Sequence, residues 1–254
     1  MKDDGSSLVY GMHPVLSALN SKKRRVRTVI TNSAPRGRLK QSAQEAGAEV
    51  LVRSRRFLDR ITGSACHQGV AAFLGGFEYG DMDGMGGLIE VLLSRGEVPL
   101  FVFLDCVQDP RNLGAVIRST LELGGHAVVI PERGSAGVTP AAVKTSAGAA
   151  EVLPVFRVPN PTTALEYLER YGLTTVAAVE DGVVMEKADL SGPIVLVLGS
   201  EGTGIRRSIR KNCKTSVTIP VTGIIGSLNL SVAAGIILAE TSRQRREKKH
   251  DQRP

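Results

Sequence analysis

Three polar segments, each directly after an apolar run, carry residue types able to do chemistry. The first runs from Asp105 to Arg118 (DCVQDPRNLGAVIR) and sets Asn112 and Arg118 six residues apart. Asn112 can cap the helix that follows. Arg118 is the one charge between Leu113 and Leu121, and alone it reads as a surface arginine on an amphipathic helix. The second, Val197 to Gly204 (VLGSEGTG), spaces Gly199, Gly202 and Gly204 around Glu201. This is neither G-x-G-x-x-G nor a GKS/GKT phosphate loop. It lets backbone N–H groups approach a ligand closely, and Glu201 suits a cationic or hydroxyl-rich ligand better than a bare phosphate. Alone it reads as a tight turn. The third, Ile219 to Gly235, places Ser227 where an N-cap belongs and Asn229 and Ser231 at the start of an apolar helix.

These segments need a scaffold, and in open α/β sheets ligands bind beyond the carboxyl ends of strands. From residue 99 the sequence alternates strands (100–106, 127–130, 152–158, 174–179, 194–198, 216–219) with helices (113–123, 140–147, 161–171, 205–212, 228–244). The strands are continuous apolar runs, as expected of a parallel sheet covered on both faces. Residues 8–77 form a separate, smaller α/β unit: helices near 14–19, 39–46 and 55–61 alternate with strands at 26–31, 48–52 and 68–73. The glycine-rich stretch 75–87, with Glu78, Asp81 and Asp83, reads as a linker, followed by a short helix 88–94. The expected domains are 1–77, a linker region 78–97, 98–244, and a basic tail 245–254. The tail sequence RQRREKKHDQRP is expected to fray.

Composition narrows the function. The formal charge of +7 is uneven: residues 1–60 hold 13 basic and 5 acidic side chains, and residues 201–254 hold 11 and 4. Between them, residues 61–200 hold 8 basic and 16 acidic. Two basic ends flank an acidic middle, which fits a polyanionic partner. Trp is absent and aromatics are 4%, which disfavours modules that stack bases on aromatic platforms. Three dispersed cysteines (Cys66, Cys106, Cys213) argue against a disulfide framework. Cys66-His67 lacks a second ligand pair, so a buried thiol and a core histidine are expected rather than a metal site. The N-terminus lacks a signal peptide's apolar stretch, and no apolar run reaches the roughly 20 residues a membrane span needs. A cytoplasmic protein with no membrane partner is expected.

Taken together, Asn112…Arg118, Gly199–Gly204 and the S-L-N-x-S-V-A run Ser227–Ala233 resemble, in order and spacing, the signature motifs of the SpoU/TrmH family. That family transfers methyl groups from S-adenosylmethionine to ribose 2′-hydroxyls of RNA. The resemblance covers nearly the whole chain. Val-Tyr-Gly-Met-His-Pro-Val near the N-terminus, Cys-His-Gln-Gly-Val-Ala at 66–71, and Thr139-Pro140 with Lys144–Gly148 look like the bacterial RlmB branch, which methylates a guanosine of large-subunit ribosomal RNA. Cys106 departs from the pattern, standing where that branch usually has glycine, and Ile224-Ile225-Gly226 replaces more polar residues.

The resemblance implies a C-terminal parallel-sheet α/β domain with a deep trefoil knot, joined to a small N-terminal α/β RNA-binding domain. It implies a homodimer packed through the knotted regions. Carried over residue by residue, Gly199, Glu201, Gly204, Ile219, Ser227, Leu228 and Asn229 hold S-adenosylmethionine, with Gly199, Ile219 and Leu228 acting through backbone. Arg118 is placed at the reacting ribose oxygen, supported by Asn112, Glu201, Ser227 and Asn229. Arginine stays protonated in proteins, so orienting the adjacent phosphate and stabilising the developing alkoxide suit Arg118 better than proton abstraction. Lys22, Lys23, Arg24, Arg25, Arg53, Arg55, Arg56 and Arg111 are then expected to hold RNA phosphates. Three alternatives stay open: a transfer-RNA or other ribosomal target, a base-methylating knotted enzyme, and a non-catalytic ribosome-assembly factor. Cofactor binding separates the last from the others.

Overall fold

A computed structural model describes residues 7–21, 23–63, 66–200, 202–223 and 227–251. In chain order the elements are β1 (Ser7–Tyr10), α1 (Met12–Ser21), β2 (Val26–Thr31), α2 (Gly37–Glu45), β3 (Glu49–Val52), α3 (Arg55–Thr62), β4 (Val70–Leu74), α4 (Met82–Ser94) and β5 (Leu100–Asp105). There follow α5 (Pro110–Glu122), β6 (Ala127–Pro131), α6 (Pro140–Thr145), β7 (Val155–Val158), α7 (Pro161–Arg170), β8 (Thr174–Val184), β9 (Ile194–Gly199), α8 (Arg207–Lys211), β10 (Thr215–Thr218) and α9 (Leu230–Asp251). The chain forms two compact units. One comprises 1–78 together with 137–152, and the other comprises 79–136 and 153–254.

The first unit holds a four-stranded mixed sheet in the order β1-β4-β2-β3. β2 and β3 run parallel, and β4 pairs antiparallel with both β1 and β2. Its α3 is bounded as its sequence demands: the Ser54 hydroxyl accepts from Phe57 N, and Gly63 closes the helix at φ +60°. Segment 137–152 belongs here although it lies in the span expected for the second domain. Lys144 sits 4.8 Å from the Tyr10 ring centroid. A Cβ on Gly148 would lie 2.5 Å from Ser17 Oγ. The KTSAG run is therefore a packing segment.

The second unit holds a six-stranded, wholly parallel sheet in the order β10-β8-β9-β5-β6-β7. Every residue of β5 and β6 is buried, which is why these strands read as unbroken apolar runs. Phe101 stacks on Phe156 at 6.3 Å within a core that includes Phe103, Leu165 and Val197. Burying each such side chain contributes about 2–3 kcal/mol.

Three expectations change. The 75–87 stretch is not a linker throughout, because α4 begins inside it at Met82, capped by Asp81 accepting from Gly84 N at 2.8 Å. Two of its glycines, Gly80 and Gly86, serve close approach. A Cβ on Gly86 would sit 2.3 Å from the Tyr167 hydroxyl, and one on Gly80 would sit 2.4 Å from the Phe156 ring. The tail does not fray up to Asp251: Arg245 donates to the carbonyls of Val98, Pro99 and Gly192 at 2.6–2.9 Å, tying α9 to the sheet. The Cys66 thiol is exposed, whereas His67 is buried as expected.

Candidate functional site

A cleft of about 930 Å³ opens at the carboxyl ends of β9 and β10, beside residues 178–181 of β8. It is lined by the Gly199–Gly204 turn, by Ile219 and its neighbours, and by Ser227, Leu228 and Leu230. The turn is tight because Gly204 N donates to Ser200 O at 2.9 Å and the Ser200 and Thr203 hydroxyls meet at 2.7 Å. Gly199 has no substitute here, since a Cβ would lie 1.9 Å from the Gly204 carbonyl carbon. Glu201 lies outside the described residues. Of the expected cofactor residues, Gly199, Gly204, Ile219, Ser227 and Leu228 line the cleft.

Asn229 does not line it. Ser227, Leu228 and Leu230 face the cleft, while the Asn229 side chain turns to α5, its Nδ2 donating to Asn112 Oδ1 at 3.3 Å. Two motifs 117 residues apart thus meet. Asn229 Oδ1 accepts from Ser231 N at 2.9 Å and from Val232 N, so Asn229, and not Ser227, caps α9. The physical reason is position: the cap is the residue next to the first helical one, and α9 starts at Leu230. For the same reason Asp109 caps α5, accepting from Arg111 N, and Asn112 stands inside the helix.

Arg118 is exposed on α5 and has no hydrogen-bond or ion-pair partner among the described residues. Arg111 lies seven residues before it, nearly on the same helix face, and is also exposed. α5 and α9 pack together; a Cβ on Gly235 would come 3.9 Å from Ser119 Oγ. The small residues of α9 let the two helices approach closely.

Several residues of this region were not singled out from sequence. β8 continues to Val184, and against β10 its register jumps from Ala177 to Val183. The intervening residues, Glu180 and Asp181 among them, line the cleft. Arg210 binds both carboxylate oxygens of Asp181 at 2.5–2.6 Å and holds that carboxyl below its usual range. A polar Glu-Asp-Gly directly after an apolar strand is the signal that could have found them. Asp105, fully buried at the end of β5, takes Arg206 N at 2.9 Å and its Nε at 2.9 Å, fixing the chain just beyond the glycine turn. The bond to Asp105 raises the Arg206 guanidinium further. Cys106 follows at φ +60°, in the left-handed region that favours glycine. Burial, then the neighbouring Asp105, pushes its thiol up.

The basic residues expected on RNA divide. Arg25, Arg53, Arg55 and Arg56 are exposed, and Lys22 lies outside the described residues. Arg24 is a correction: its side chain is 3% exposed, paired with Glu151 (1%) and bonded to Gly75 O. A guanidinium already buried and satisfied has nothing left for a phosphate. Lys23 is exposed and its Nζ makes one hydrogen bond, to Val152 O, which leaves donors for a phosphate.

The SpoU rRNA Methylase family model matches residues 99–239. A model described as RNA 2′-O ribose methyltransferase substrate binding matches residues 8–80. A Mycolicibacterium vanbaalenii protein described as an uncharacterized tRNA/rRNA methyltransferase is 42% identical over 250 residues, covering 96% of this chain and 79% of the relative. The structure of the SpoU methyltransferase AviRb from Streptomyces viridochromogenes, in complex with the cofactor AdoMet, superposes with a TM-score of 0.81 at 28% identity. It covers 96% of this chain and 92% of that one. A TrmH/SpoU tRNA modifying enzyme of A. aeolicus gives 0.55 at 29% identity, over 68% of this chain and 88% of its own.

Proposed function

This chain belongs to the SpoU rRNA Methylase family, and on that premise we propose that it transfers a methyl group from S-adenosylmethionine to the 2′-hydroxyl of a guanosine in large-subunit ribosomal RNA. The observation that carries the reading is the Asn112–Asn229 bond. It joins the motif bearing Arg118 to the segment that lines the cleft.

The cleft fits the cofactor's chemistry. Leu198, Val217 and Leu230 supply an apolar slot for an adenine, and the backbone of the glycine turn supplies donors and acceptors. Glu180 at the rim suits ribose hydroxyls or a cationic group, while Asp181 beside it is held by Arg210. When bound, S-adenosylmethionine supplies an electrophilic methyl. The chain's own task is to hold the ribose oxygen in line with it and to lower the cost of losing its proton. Arg118, charged and unpaired with any described residue, orients the adjacent phosphate and stabilises the oxygen as charge develops. Asn112 and Asn229 fix α5 against the cleft segment, and so fix where Arg118 stands.

In support of a ribosomal target, the chain carries a substrate-binding unit at 8–80, and the A. aeolicus tRNA modifying enzyme covers only 68% of it. The same reading includes the trefoil knot, a homodimer through the knotted regions, and a cytoplasmic location. Exposed Val221, Leu228 and Val232 are apolar groups such a dimer would cover. No helix among the described residues is long and apolar enough to cross a membrane. Mapping 2′-O-methyl groups in RNA from cells with and without the protein tests the proposal. The expected result is one large-subunit guanosine that loses its methyl. Loss confined to transfer RNA would overturn the ribosomal target.

A further inference from the structure

A second pocket, of about 620 Å³, lies within the first unit, where β2 passes into α2. Thr31, Asn32, Arg36, Arg38, Gln68 and Gly69 line it. Thr31 is 2% exposed, yet its hydroxyl has no hydrogen-bond partner among the described residues. Buried hydroxyls are nearly always paired, and an orphan calls for an explanation. A ligand group in the pocket would supply one.

The surrounding chemistry indicates which ligand. Leu16 and Leu39 give the pocket an apolar wall, and no acidic residue lines it among the described residues. Arg36 and Arg38 are exposed, with no partner among the described residues. The Gln68-Gly69 turn is held rigidly. His67 Nδ1 accepts from Gly69 N at 2.9 Å, so its Nε2 donates to Asp59 at 3.0 Å. Gln68 Oε1 accepts from Met12 N at 2.8 Å, which leaves Gln68 Nε2 free to donate. Gly69 has to lack a side chain: a Cβ would lie 2.5 Å from Asn32 Oδ1. The pocket therefore combines an apolar face, a hydroxyl, the side-chain amides of Asn32 and Gln68, and two cations at the rim. An apolar face with a small set of directed polar groups reads a planar heterocycle, and rim arginines hold the phosphates on either side.

We infer that this pocket receives one unpaired nucleotide of the RNA substrate and reads its base through Thr31, Asn32 and Gln68, with Arg36 and Arg38 on the flanking phosphates. The inference rests on the RNA-substrate reading above and adds a specificity site in the other unit. Bases in a duplex have their edges occupied and their faces stacked, so the pocket selects a loop, bulge or single strand.

The test uses the full chain and fluorescently labelled RNA pentamers of A, C, G and U, with a duplex of matched length. The expected result is that one pentamer binds at least about 5-fold more tightly than the others and than the duplex. Thr31→Val keeps the shape and removes the hydroxyl. It should erase that preference and leave the salt dependence unchanged. Arg36→Ala with Arg38→Ala should weaken all pentamers and make the slope of log affinity against log salt shallower by about 1.4, from two lost phosphate contacts at about 0.7 each. Ultraviolet cross-linking of the preferred pentamer to the unmodified protein should label residues 31–39 or 68–69. Equal binding of all pentamers, equal binding of duplex, or cross-links only elsewhere overturns the inference. Calorimetry with S-adenosylmethionine on the same proteins separates the two readings. Lost cofactor binding with the base preference intact would overturn the proposed reaction and leave the pocket standing.

Discussion

Arg24, two residues before β2, and Arg118, in α5, put the same side chain to opposite uses. Arg24 is buried, saturated by Glu151 and Gly75 O, and joins segment 137–152 to the first unit. Arg118 is exposed and has no partner among the described residues. The first has its charge neutralised and serves the fold. The second keeps its charge exposed, open to the phosphate proposed for it. Local sequence ranks them the other way, since Arg24 sits in a basic cluster and Arg118 in an apolar helix. What decides the use of an arginine is therefore the presence of a carboxylate in reach, and Glu151 is 127 residues from Arg24.

The sharpest way to break this comparison is Arg118→Ala. Methyl transfer to RNA, followed by labelled-methyl incorporation, should fall by about 10²–10³-fold or more. S-adenosylmethionine binding by calorimetry should stay within about 2-fold. Undiminished transfer would make Arg118 one more surface arginine. Arg24→Ala tests the other half. It leaves the Glu151 carboxylate buried without its partner, so urea unfolding should show a loss of about 3–5 kcal/mol, and adding Glu151→Ala should recover part of it. A loss under about 1 kcal/mol would mean that the pair is not structural.

Gly199→Ala sharpens the contrast between side-chain and backbone function. Its Cβ meets the Gly204 and Ile205 backbone at 1.9–2.1 Å, so the turn must shift at a cost of about 1–3 kcal/mol. The loss should appear in S-adenosylmethionine affinity by calorimetry, with the pentamer preference of the first unit intact. The smallest effect is expected at Cys106→Gly. Relief of the left-handed conformation, less the extra chain entropy of glycine, should raise stability by about 0.5–1 kcal/mol in urea unfolding. A destabilised variant would show that the thiol's packing outweighs the strain.

Much of the scaffold was legible because its signals are local. The runs at 100–105, 127–131 and 194–199 are strands buried along nearly their whole length, and an unbroken apolar run needs no tertiary information to be recognised. β2 falls where the sequence placed a strand, at Val26–Thr31. The glycine-rich 82–87 was misread because glycine has two uses, flexibility and close approach. Only the Tyr167 and Tyr171 hydroxyls against Gly86 show which one applies. The extension of β8 to Val184 was missed because Glu180-Asp181-Gly182 reads as a strand ending, and pairing of Val183 with Val217 of β10 overrides that signal.

By itself, then, the sequence determined the strand and helix periods, the uneven charge, and the three polar segments whose order and spacing mark the family. Each of these is read along the chain, with no knowledge of which residues pack against one another. Tertiary structure alone decided that Asn229 caps α9 and reaches Asn112, that Asp105 fixes Arg206 beyond the glycine turn, and that Arg24 is spent on Glu151 while Arg118 is not. It also decided that Thr31 is left with an unanswered hydroxyl. Whether a polar group is satisfied depends on partners roughly a hundred residues away, or on their absence, and no local pattern carries that information.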